Sequence, residues 1–233
     1  MDLRKIKLVV FDSDGVLIPR GTKILESYDD GRFSVFVSSF RISNEFANKI
    51  NEIKKKRAVC VNSGRSLIYL QSMYDKISGC SFIAENGHIY MIDGRIAQLY
   101  DFNQEYFHKI GEIRRRVRKL PITGIEPKQF MLTVHTDSEL PKVREIVAEV
   151  APEFKVMWNG EAFDIQRADI SKGEALKRMM VIMGFDKDEV LAIGDRINDK
   201  DMIEAVGIGI STDKEHLKAD YYLKVEELID KLL

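Results

Sequence analysis

An uninterrupted apolar run, Leu8-Val9-Val10-Phe11, ends abruptly in Asp12-Ser13-Asp14-Gly15. Such a run reads as a strand buried on both faces, as in a parallel sheet covered by helices. Strand geometry sends Asp12 and Asp14 toward one side, where they repel each other unless a cation or a proton lies between them. Gly15 lets the backbone turn sharply and come close to a ligand. A surface Asp-Gly turn uses the same residues, so the stretch takes its meaning from its companions.

Two further apolar runs end in polar motifs. Ala58–Val61 leads into Asn62-Ser63-Gly64-Arg65 and then a helix from Ser66, marked by Leu67, Leu70, Met73 and Ile77. A hydroxyl and free backbone amides just before a helix make an anion site. Val190–Ile193 ends at Gly194-Asp195-Arg196-Ile197-Asn198-Asp199. Between them, Ser171-Lys172-Gly173-Glu174 fits a capping box and opens a helix running to about Gly184. Lys172 then stands in the first helical turn, against the dipole preference, which suggests an anion nearby. If the sheet is parallel, all these strand ends converge on one edge. Four acids in a small volume call for a hard cation with oxygen ligands, ordinarily Mg²⁺ inside cells. The hydroxyl, amides and lysine suit a phosphoryl group.

The rest of the chain divides by pattern. Residues 24–39 read as a hairpin turning at Asp29-Asp30-Gly31, and Ile42, Phe46, Ile50 and Ile53 mark a helix with Ser43 as N-cap. Ser81–Ala84 is a short strand before Glu85-Asn86-Gly87-His88 and a hairpin at Asp93-Gly94. From about 91 to 167 the solid runs give way to alternation. A helical stripe (Tyr106, Ile110, Ile113, Val117, Leu120) precedes an alternating strand at 130–135, a helix at 140–150 and a hairpin around Asn159-Gly160. This segment is expected to be an α+β unit, 91–167, inserted into a first domain formed by 1–90 and 168–233. Strands Val190–Ile193 and Gly207–Ile210, then a helix from Val225, resume the α/β pattern.

Net charge is −1 over 233 residues, which gives no reason to expect a nucleic-acid or anionic-membrane surface. No apolar run reaches the roughly 20 residues of a membrane span, and Met1–Lys5 passes straight into the first strand without a signal-like apolar region. A cytoplasmic location is therefore expected. Cys60 and Cys80 match no metal or redox spacing and read as buried apolar residues.

The order of these motifs resembles the haloacid dehalogenase (HAD) superfamily of phosphotransferases over essentially the whole chain. That resemblance implies a Rossmann-like α/β core with a parallel sheet and an inserted α+β cap of type IIB, as in Cof-like sugar-phosphate phosphatases and archaeal phosphoglycolate phosphatases. It implies Asp12 as nucleophile and Asp14 as general acid/base. Ser63, with Gly64, and Lys172 would bind the phosphoryl group, with Asn198 nearby. Asp12, Asp14 (through its carbonyl), Asp195 and Asp199 would serve Mg²⁺. Ser13 and Val16 depart from the family's commoner residues without removing an essential side chain. The segment 20–40 is an addition absent from the smallest relatives that could reach over the site.

The implied activity is hydrolysis of a small phosphorylated metabolite, of sugar-phosphate or phosphoglycolate type, through an aspartyl-phosphate. A sugar phosphomutase is the alternative, with the cationic run Arg114–Lys119 facing the site. A non-catalytic binding module of the same fold is the third. Within the insert, His135, Trp158 and Asn159 are the candidates for contact with the leaving group.

Overall fold

The computed structural model describes residues 1–29 and 31–233, so Asp30 of the expected turn lies outside the described residues. In chain order the elements are β1 (Leu8–Phe11), β2 (Lys23–Asp29), β3 (Arg32–Ser38), α1 (Asn44–Ile53), β4 (Ala58–Asn62), α2 (Leu67–Met73), β5 (Ser81–Ala84), β6 (Ile89–Ile92), β7 (Arg95–Ala97), α3 (Gln104–Val117), β8 (Gly124–Glu126), β9 (Leu132–His135), α4 (Pro141–Val150), β10 (Phe154–Trp158), β11 (Ala162–Arg167), α5 (Lys172–Met183), β12 (Val190–Gly194), α6 (Lys200–Glu204), β13 (Ile208–Ser211), β14 (Tyr221–Tyr222) and α7 (Val225–Leu232). They sort into two compact units. The first comprises Met1–Gly21, Phe40–Leu99 and Ser171–Leu233; the second comprises Thr22–Ser39 and Tyr100–Ile170.

The first unit is built on a sheet in the order β14-β13-β12-β1-β4-β5-β6-β7. β1 lies between β12 and β4 and pairs with both in parallel, Phe11 standing opposite Ile193 and Val61. Among the described residues only β6 runs against the rest of this sheet, pairing antiparallel with β5 on one side and, across the hairpin at Asp93-Gly94, with β7 on the other. Solid apolar runs form these strands because both faces are covered: all four β1 residues are fully buried. Leu8, Val10, Cys60, Val190 and Ala192 pack with Ala175, Leu176 and Met179 of α5 in one core. Burial of each such side chain contributes about 1.5–3 kcal/mol. Ser43 Oγ accepts from Phe46 N to start α1, and Ser171 Oγ accepts from Glu174 N to start α5. Gly173 brings α5 against α6, since a β-carbon there would strike the Asp201 carbonyl.

The second unit carries a sheet in the order β10-β11-β9-β8-β2-β3, in which each neighbouring pair is antiparallel. Helices α3 and α4 supply Tyr106, Ile110, Ile113, Val143 and Ile146 to a core with Ile125, Val134 and Phe163 from the strands. The chain divides differently from the expectation in two respects, the first being that 22–39 falls in the second unit. β2 pairs with β8 through Glu26 and Ile125, and the hairpin β2–β3 forms one end of the insert's sheet. Glu26, with its side chain only 3% exposed, accepts from Arg114 Nη1 at 2.8 Å and Arg118 Nη2 at 3.0 Å. The boundaries of the long insert also shift, to 100–170, because β6 and β7 extend the first unit's sheet.

Candidate active site

Three strand ends and one helix start of the first unit meet at a common edge. Asp12 follows β1, and its N–H donates to Ile193 O, which extends the pairing with β12 by one residue. Ser13 O then accepts from Leu17 N and Ile18 N, folding the loop back on itself. Ser13 Oγ lies 2.8 Å from Tyr74 Oη in a buried pair that fastens the loop to the end of α2. Gly15 has φ +89°, which a side-chain-bearing residue adopts only with strain.

Lys172 reaches into this loop. Its side chain is 2% exposed, and Nζ donates to Asp12 Oδ1 at 2.7 Å and Asp199 Oδ1 at 2.6 Å. Asn62 Nδ2 donates to the Lys172 carbonyl at 3.0 Å, tying the end of β4 to the start of α5. Asp199 Oδ2 accepts from the Asp195 and Arg196 amides at 3.0 and 3.3 Å. The motif needs Gly194, because a β-carbon there would sit 2.5 Å from Asp199 Cβ. Asn198 is half-buried on the turn between the two aspartates.

Two arginines complete the cluster. Arg65 forks onto Asp14, Nε to Oδ2 and Nη2 to Oδ1, both at 3.1 Å. Arg20 places Nε and Nη2 at 3.0 and 2.5 Å from Asp195 Oδ2. Ser63 is buried at the end of β4, and its Oγ accepts from Arg65 N while Gly64 stands half-buried beside it. The segment after β5 packs here too: Asn86, at φ +56°, donates from its N–H to Ser63 O.

The electrostatics favour an added cation. Asp12, Asp195 and Asp199 each offer a carboxylate oxygen, all within 4.8 Å of one another. Asp195 Oδ1 is buried with no hydrogen-bond partner, a costly state for a carboxylate oxygen unless something binds it. Burial, reinforced by the Asp199 charge, pushes the Asp12 carboxyl up to about 8 against the pull of Lys172. Burial likewise raises the Asp195 carboxyl, with Arg20 opposing it. Burial works against the Lys172 charge as well, but Asp12 and Asp199 outweigh it and keep the ammonium protonated. Oxygen donors from carboxylates fit a hard divalent ion.

Asp12, Asp14, Ser63, Gly64, Lys172, Asp195, Asn198 and Asp199 thus all belong to the same unit. The nearest couplings are Asp12–Lys172–Asp199 and the Asp199–Asp195 turn. Arg20 and Tyr74 escape a motif search, and Asn62, although it opens Asn62-Ser63-Gly64-Arg65, shows no sign there of its hold on the Lys172 carbonyl. Each acts through a single long-range contact, and Pro19-Arg20-Gly21 reads only as a turn.

The insert's three candidates separate. Trp158 packs on Phe163 at 4.6 Å between ring centroids, and Asn159 Oδ1 accepts from Glu161 N and Ala162 N within the turn. These are packing and turn roles. His135 lies 3.8 Å from Glu126, beside a network missed in the sequence: Lys128 Nζ donates to Thr133 Oγ1, which donates to Asp164 Oδ1, both at 2.5 Å. Alternation at 132–135 signals one polar face, but the register that aligns Glu126, Thr133 and Asp164 across three strands is non-local. The cations from 114 to 118 are committed within this unit: Arg114 and Arg118 to Glu26, Arg115 to Glu112, Arg116 to Glu149.

A family model described as haloacid dehalogenase-like hydrolase matches residues 120–216, which include Lys172, Asp195 and Asp199. The phosphoglycolate phosphatase of Methanosarcina mazei is 27% identical over 173 residues, covering 70% of this chain and 74% of that protein. The phosphoglycolate phosphatase of Methanopyrus kandleri is 25% identical over 70% of this chain and 72% of its own length. Among solved structures, the C-terminal domain of C. albicans trehalose-6-phosphate phosphatase superposes with a TM-score of 0.72 at 16% identity, covering 98% of this chain and 91% of that one. A haloacid dehalogenase-like hydrolase from B. subtilis gives 0.71 at 17% identity, covering 98% and 100%. No helix among the described residues is long and apolar enough to cross a membrane.

Proposed function

We propose that this chain, which belongs to the haloacid dehalogenase-like hydrolases and is a phosphatase, hydrolyses a small phosphorylated metabolite through a phosphorylated Asp12, with Mg²⁺ as cofactor. The observation that carries this reading is the buried Lys172 ammonium bridging Asp12 and Asp199, beside an Asp195 oxygen that lacks a partner. An ordinary surface lysine would have no reason to occupy that position.

Asp12 and Asp195, with the Asp14 carbonyl, would hold Mg²⁺, and Asp199 would stand on or beside it. The ion would supply positive charge that screens Asp12 from an anionic substrate and stabilises the transferring group. Asp12 attacks phosphorus and takes the phosphoryl group, which divides a very high barrier into two lower ones. Lys172 and the Ser63–Gly64 turn hold the phosphoryl oxygens and stabilise charge that grows in the transition state. Asp14 gives a proton to the leaving alkoxide, then removes one from the water that attacks the intermediate. The Arg65 fork holds Asp14 as the carboxylate that the water-activating step needs; to act first as the acid, Asp14 must leave this fork and carry a proton.

The curated relatives' name, together with the likeness to a trehalose-6-phosphate phosphatase domain, supports phosphoglycolate and sugar phosphates as the first substrates to assay. The mutase alternative gains no support, since Arg114, Arg115, Arg116 and Arg118 all face carboxylates of their own unit. The test is release of inorganic phosphate from a panel of phosphate monoesters with Mg²⁺ and with EDTA. Turnover that needs Mg²⁺ and disappears in Asp12→Asn is expected; turnover indifferent to both would refute the reading.

A further inference from the structure

Arg20 lies outside the four motifs, yet it holds one of their carboxylates. Both of its contacts, Nε at 3.0 Å and Nη2 at 2.5 Å, go to Asp195 Oδ2, while Oδ1 of the same carboxylate is buried without a partner. The pair nests over Gly15: a β-carbon there would overlap Asp195 Oδ2 and come within 2.9 Å of Arg20 Nε. The glycine that turns the chain thus also makes room for the guanidinium. The Arg20 side chain is 41% exposed and that of Asp195 is 7% exposed, so the arginine reaches inward from solvent.

The charge balance gives this contact a consequence. With all four carboxylates ionised, as a bound cation would require, Asp12, Asp14, Asp195 and Asp199 stand against Lys172, Arg20 and Arg65, which leaves one net negative charge before the ion is counted. A divalent ion would make the set net positive by one, suited to an anionic phosphoryl group. Without Arg20 the same set would hold a divalent ion at net zero. A guanidinium always carries its charge, so this contribution does not vary with pH.

We propose that Arg20 is an electrostatic positioning residue that weakens Mg²⁺ binding in order to strengthen binding of the substrate's phosphoryl anion. The proposal rests on the reading of Asp12 and Asp195 as the cation site. It assigns Arg20 opposite effects on the two ligands, which loss of structure would not produce. A unit charge a few ångströms from a divalent ion, at the effective dielectric of a protein surface, changes affinity by about tenfold or more.

The experiment is calorimetric titration of the full chain, first with Mg²⁺ alone and then with inorganic phosphate at saturating Mg²⁺. Arg20→Met should bind Mg²⁺ about tenfold more tightly and phosphate about tenfold more weakly. Arg20→Lys, which keeps the charge, should return both constants to within a few-fold of wild type. Arg41→Met, removing an exposed arginine paired with Asp75, should change neither. If Arg20→Met weakens both ligands or leaves both unchanged, the proposal is overturned while the cation site stands. If wild type binds no Mg²⁺, the cation site and the proposal fall together. Thermal melting of each variant verifies that the proteins compared are folded.

Discussion

Lys172 Nζ stands 2.7 Å from Asp12 Oδ1, although the two residues are separated by 160 positions in the chain. The helix start that carries the lysine and the strand end that carries the aspartate are brought together by the parallel pairing of β1 with β12 and β4. Removing the ammonium would strip Asp12 of its partner and leave the buried Asp199 carboxylate short of its compensating charge. Lys172→Ala is expected to lower metal-free stability by about 3–5 kcal/mol, the range for breaking a buried ion pair from one side. Turnover should fall by orders of magnitude. Denaturant unfolding with EDTA and steady-state kinetics with Mg²⁺ measure the two effects, and near-normal turnover would contradict the assigned role.

Stability of the metal-free protein should fall as pH rises. The Asp12 carboxyl titrates near 3.8 when unconstrained and near 8 in the folded protein. Between those values the folded state alone holds the proton, so stability is lost progressively from about pH 4 to pH 8. One such group contributes at most about 1.4 kcal/mol per pH unit. Melting curves from pH 5 to 8 in EDTA should show the decline, and Asp12→Asn should lack that component. Mg²⁺ competes with the same proton, so its stabilising effect should grow with pH. A metal-free profile identical in wild type and Asp12→Asn would be inconsistent with this account.

Much of this site is legible in the sequence because buried parallel strands write their burial as solid apolar runs, and their ends carry the polar residues in order. Leu8–Phe11, Ala58–Val61 and Val190–Ile193 all behave this way. Alternation at 33–37 reveals a strand but not its sheet. Its hairpin joins β8 through Glu26 and Ile125, a pairing about a hundred residues distant that no local pattern encodes. β8 itself has three residues and α6 has five, too few for a period to emerge. Arg20 was invisible for a related reason: a lone arginine in a turn carries no sign of a carboxylate 175 positions away.

The place of the 22–39 hairpin can be tested through Glu26. Its buried carboxylate accepts from Arg114 and Arg118 of α3, within the second unit. Glu26→Ala should destabilise the protein by about 1–3 kcal/mol, as expected when a charge-assisted hydrogen-bond acceptor is removed. Hydrogen exchange should quicken in β2 and β3. Unchanged protection there would mean that this contact does not secure the hairpin.

We propose that the polar sheet face of the second unit that bears Lys128, Thr133 and Asp164, rather than Trp158 or Asn159, sets substrate preference. Thr133→Val, nearly isosteric but without the hydroxyl that links Lys128 to Asp164, should alter KM values and reorder preferred phosphate esters. The Mg²⁺ requirement should persist. Trp158→Phe and Asn159→Ala should change stability more than ranking. The reverse pattern in a substrate panel would relocate specificity to the β10–β11 hairpin.

The most direct test of the central claim is rapid-quench trapping of the phosphoenzyme with a labelled aryl phosphate donor and Mg²⁺, followed by peptide mapping and hydroxylamine cleavage. Asp14→Asn retains the nucleophile, and a good leaving group needs little protonation, so Asp12 can still be phosphorylated while hydrolysis stalls for want of a base. The expected result is hydroxylamine-sensitive label on the peptide containing Asp12 in Asp14→Asn, and none in Asp12→Asn. Label on Ser63, or full turnover by Asp12→Asn, would contradict the aspartyl-phosphate mechanism.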